Sequence, residues 1–145
     1  MTSKAVLEQR CQTIEESYEF MLAYAAQGLT GDGGVESGSQ LREYLRRAIE
    51  ALSGLTALYA QQVQQDGLQP AARYEAFLAV IERDAHATLA ALELVLAQPS
   101  ISSQLIDNLN ASIHLRALLT DLFILDELLK SQPTTPGLAD FGGRS

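Results

Sequence analysis

Residues 100–130 read SISSQLIDNLNASIHLRALLTDLFILDELLK, and the leucine spacing in the second half decides the fold. Leu115, Leu118, Leu122, Leu125 and Leu129 recur at alternating steps of three and four, which draws a narrow apolar seam along a helix. Ile106, Leu109, Ile113, Ala117, Ile124 and Leu128 form a second row. At about 100° per residue the two rows lie roughly 145° apart. A row left in water would forgo burial worth on the order of 8–15 kcal/mol. A helix apolar on two sides is either central to its own bundle or shared with a partner. The expectation is that one row docks inside the chain and the other meets a second protein, with either row able to face inward.

The same spacing occurs three more times upstream. Leu7, Cys11, Ile14, Tyr18, Met21 and Ala25 form the seam of a helix over about residues 3–27. Leu41, Leu45, Ala48, Leu52, Leu55 and Tyr59 do so over about 40–65, with Ser39 as its expected N-cap. Tyr74, Leu78, Ile81, Ala85, Thr88, Leu92 and Val95 mark a third helix, about 70–97, opened by Pro70. The fourth runs over about 100–130. Gly54, with Ala48, Ala57 and Ala60, reads as a small residue that lets a neighbouring helix approach closely. Gly28 and Gly67 suit helix ends, because glycine takes the left-handed conformation without a Cβ penalty.

These seams predict an all-α fold, an antiparallel up-down-up-down four-helix bundle. Residues 1–131 form its single domain, with a glycine-rich linker at 28–38 and a flexible tail at 132–145. Ile14, Tyr18, Leu45, Leu52, Leu55, Ile81, Leu92 and Leu118 are the expected centre of the core.

Composition narrows the function by exclusion. The 145 residues carry a net charge of −8, which opposes binding to nucleic acid or anionic lipid through Lys and Arg. One cysteine, no signal-like N-terminus and no spanning apolar run predict a cytoplasmic protein. Candidate chemistries fail on spacing. Glu82 and His86 are four apart, where an inward-facing di-iron motif needs Glu-x-x-His. His114 is followed by Leu115, not by the acidic residue that assists a phosphoaccepting histidine. Cys11 sits on an apolar seam between Glu8 and Glu15, a setting that keeps a thiol protonated and inert. The glycine loop lacks a preceding strand and a following lysine, so it is no phosphate cradle. No metal site and no cofactor are predicted.

Two polar constellations remain. Arg42, Arg46 and Arg47 concentrate positive charge, either as a salt-bridged solvated face or as a patch for an acidic partner. Asp107, Asn110, His114 and Asp121 fall along one edge of the fourth helix, either as a polar strip that borders an interface and faces water elsewhere, or as a pH-responsive group in which the carboxylates favour the charged imidazole. The favoured function is a non-catalytic helical interaction module, a homodimer or an accessory subunit docking through the fourth helix. The alternative is a ligand-binding or sensory bundle that accepts a small apolar molecule, and an enzyme ranks last.

Overall fold

The structure, a computed structural model, describes residues 2–31 and 35–132. It is all-helical, with no strand among the described residues. The helices are α1 (Ser3–Ala26), α2 (Val35–Leu52), α3 (Leu55–Gln65), α4 (Ala71–Leu96), α5 (Ser103–Ala111) and α6 (Ile113–Lys130). None of them is long and apolar enough to cross a membrane.

Two of the expected unbroken helices are therefore split. The second parts at Gly54, whose left-handed φ of 73° ends α2 and starts α3. Gly54 thus turns the backbone, where its sequence context suggested a packing contact. The fourth parts at Ser112, which adopts an extended conformation with φ −63° and ψ 141°. Its N–H donates to the Leu109 carbonyl, and its hydroxyl accepts from the Leu115 N–H at 3.3 Å. One serine closes α5 and caps α6, because its short side chain can replace a missing helical partner. Ser102 caps α5 in the same way, accepting from the Leu105 N–H at 3.1 Å.

The linker is shorter than expected. α2 already begins at Val35, so Ser39 lies within the helix and does not cap it. Residues 32–34 of the linker, and the tail beyond Gln132, lie outside the described residues.

Hydrogen bonds fix the pairing of the helices. Ser3 Oγ donates to Gln65 Oε1 at 3.2 Å, Arg10 bonds the Ser53 carbonyl, and Ser17 Oγ reaches the Tyr44 carbonyl at 3.2 Å. As α1 runs forward, α3 and α2 therefore run backward beside it. At the far end of α1, Tyr24 donates its hydroxyl proton to the Ile101 carbonyl at 2.6 Å. Ser103 Oγ donates to the Tyr24 carbonyl at 2.6 Å and accepts from the Leu29 N–H at 2.8 Å, which ties α5 to α1. α4 packs chiefly on α6, and also on α2 and α3.

Seven of the eight expected core residues are buried, with Leu45, Leu55, Ile81 and Leu118 fully enclosed. Tyr18 is the exception and is only partly buried. Ser17 takes the inward position beside it, and its hydroxyl also reaches the Thr13 carbonyl at 2.8 Å. A hydroxyl satisfied by a carbonyl of its own helix can be buried at small cost.

Candidate functional site

α6 carries two apolar faces, and the structure assigns them different fates. Leu115, Leu118, Leu122 and Leu125 are buried in the chain's own core, and Leu129 is half-buried at its end. The second row divides at Ser112. On α5, Ile106 and Leu109 are buried, whereas on α6 Ile113 is 75% exposed, Ile124 46% and Leu128 42%. The extended residue resets the helical phase, so one row in the sequence becomes two faces in the fold.

Phe123 joins the outer face, 56% exposed. Its position outside the three-and-four spacing hid it from the periodicity argument. Around α6, Ile113, Ala117, Thr120 and Ile124 span roughly 60°, with Leu128 on one border and Phe123 on the other. Arg116 and Glu127 stand on the Phe123 border, both exposed, and neither forms an ion pair with another described residue.

The polar strip is dispersed by the same break. Asp107 and His114 are exposed, while Asn110 is buried on α5 and donates to the Met21 carbonyl at 3.1 Å. Asp121 is buried against α4, where it meets Asp84 and not His114. Its Oδ2 has no hydrogen-bond partner among the described residues. Desolvation by burial, reinforced by the Asp84 carboxyl, pushes the Asp121 carboxyl up to about 7.

The arginine cluster also separates. Arg42 donates to the Leu96 and Gln98 carbonyls at 3.0 and 2.9 Å, fastening α2 to the end of α4. Arg46 and Arg47 approach Glu43 at 3.7 and 3.4 Å. The Arg47 guanidinium also lies 5.1 Å above the Tyr44 ring, which stacks on Phe20.

Where α1, α3 and α6 meet, a half-open cleft of about 420 Å³ holds a hydrogen-bonded chain that no spacing in the sequence announced. Tyr59 donates its hydroxyl proton to Asp126 Oδ1 at 2.7 Å, and Cys11 Sγ lies 3.0 Å from the same hydroxyl oxygen. With the tyrosine proton committed, the thiol is the donor to Tyr59. Burial pushes the Cys11 thiol up to about 12, and Asp126 adds to the rise. Burial likewise raises Tyr59 above the ordinary tyrosine value. Such a thiol is a poor nucleophile, because only the thiolate attacks. Glu82 and His86 form a solvent-exposed pair at 2.8 Å. Among the described residues, no three His, Cys, Asp or Glu side chains are grouped to hold a metal ion.

No protein-family model, curated protein or solved structure matches this chain, so the site stands on its own geometry.

Proposed function

We propose that this protein is a non-catalytic helical interaction module that docks another protein on the outer face of α6. The six helical segments act in this reading as four rods of an up-down-up-down bundle, α2 with α3 and α5 with α6 each counting as one. The carrying observation is the exposure of Ile113, Phe123, Ile124 and Leu128 on one helix whose opposite side is already spent in the core. Isolated exposed leucines are normal, but several large apolar side chains clustered on one face mark an interaction surface. The reading places the module in the cytoplasm.

A second reading, a bundle that binds a small molecule, draws on the cleft at Cys11, Tyr59 and Asp126. It ranks lower because those polar groups already satisfy one another.

The test is a photo-crosslinking amino acid placed at Thr120 on the outer face of α6, with the exposed Glu82 of α4 as control. Irradiation in living cells is expected to give a discrete protein adduct from position 120 and none from position 82. The same ladder from both positions, or no adduct from either, sinks the proposal.

A further inference from the structure

We infer that the partner covering the outer face of α6 is a second copy of this chain, docked antiparallel through the same helix. This rests on the docking reading above and identifies its partner. A twofold axis close to Thr120 sets Ile113 of one copy against Leu128 of the other, and Ala117 against Ile124. The apolar face therefore complements itself about its own midpoint, as an isologous contact requires.

The charges select the direction. Arg116 and Glu127 stand on the same border of the face, exposed and without an ion pair among the described residues. An antiparallel twofold pair brings like borders together, so each Arg116 meets the other copy's Glu127. A parallel pair would set that border against the opposite one, which carries Leu128 and His114, and would leave both charges unmatched. Opposite charges at the border of an apolar seam fix partner orientation more than they add affinity.

The contact is small, which limits its strength. Ile113 to Leu128 spans roughly 22 Å at 1.5 Å per residue, and a helix is roughly 10 Å wide. The pair would bury on the order of 900 Å² in total, at the small end for specific contacts. Dissociation in the micromolar range is therefore expected, with monomer and dimer both populated at ordinary concentrations.

The experiment is sedimentation equilibrium of the 145-residue chain in about 150 mM salt, at concentrations from about 1 μM to 1 mM, with charge-reversal variants. The wild-type mass is expected to climb from 15.7 kDa toward twice that value. Arg116→Glu and Glu127→Arg should each weaken association at least fivefold, since each alone makes both border contacts like-charged. Both positions are exposed, so the helical signal and melting temperature of each variant should match wild type. Mixing the two variants should restore association, because each supplies the charge the other now needs.

Three results would overturn the inference. Wild type could stay monomeric throughout; if the Thr120 crosslink to another protein persisted, the docking reading would stand and only the second copy would fall. Association could occur but ignore both charge reversals, which excludes the antiparallel α6 contact. Finally, a chain that dimerises only after removal of residues 133–145 would assign the face to its own tail.

Discussion

Asp121 is a buried carboxyl whose ionisation opposes the fold. A carboxylate buried beside a second carboxylate cannot ionise freely, so the pair holds a proton that the unfolded chain would release near pH ~3.9. The folded value, about 7, lies above the unfolded one, so folding takes up a proton across that interval. The stabilisation is therefore fully present below pH ~4 and is lost as pH rises through about 7. Asp121→Asn keeps the shape and removes the charge. Urea titrations at pH 5 and pH 8 should show a wild type that weakens with pH, and a variant that hardly changes. At pH 8 the variant should be the more stable by about 1–3 kcal/mol. A wild type whose midpoint is the same at both pH values would remove Asp84 and Asp121 from the account. The sequence placed Asp121 beside His114, because a spacing of seven shares a helix face. Nothing in that spacing reveals what faces Asp121 from α4.

Helix character was legible from the sequence, and helix continuity was not. The apolar spacing of three and four survives in every segment, so the fold class and the inward leucine row of α6 follow from it. The breaks escape because the pattern runs through them. Leu52 and Leu55 remain three apart and both buried across Gly54, and Leu109 and Leu115 are both buried across Ser112. In the sequence the second row crosses 112 as Leu109 and Ile113, four apart, yet Leu109 is buried and Ile113 is exposed. Ser112 is thus the residue that decides how α5 and α6 are phased. Ser112→Ala removes the acceptor for the Leu115 N–H and should destabilise the protein by about 1 kcal/mol, a usual value for a lost N-cap. Chemical denaturation measures it directly. No loss would mean that the break is held by tertiary packing alone. The chain of Cys11, Tyr59 and Asp126 lay beyond sequence reasoning for a related cause. Each residue could be placed on its own helix, but their meeting depends on the relative rotation of α1, α3 and α6.

At the scale of the whole molecule, charge opposes the proposed pairing. Each chain carries a net charge of −8, and pairing two copies brings those charges roughly 30 Å apart. Unscreened, such a repulsion is about 9 kcal/mol in water; it falls to about 3 at 10 mM salt and about 0.2 at 150 mM. The two Arg116–Glu127 contacts of the proposed dimer would work in the opposite sense, but exposed ion pairs contribute only about 0–1 kcal/mol each. The repulsion between whole molecules wins. Self-association should therefore tighten at least tenfold as salt rises from about 10 to 150 mM, even though its border contacts are ionic. Sedimentation equilibrium at fixed protein concentration and three salt concentrations measures the trend. Weakening with salt would mean that local charge pairs, and not burial of Ile113, Phe123, Ile124 and Leu128, drive the contact.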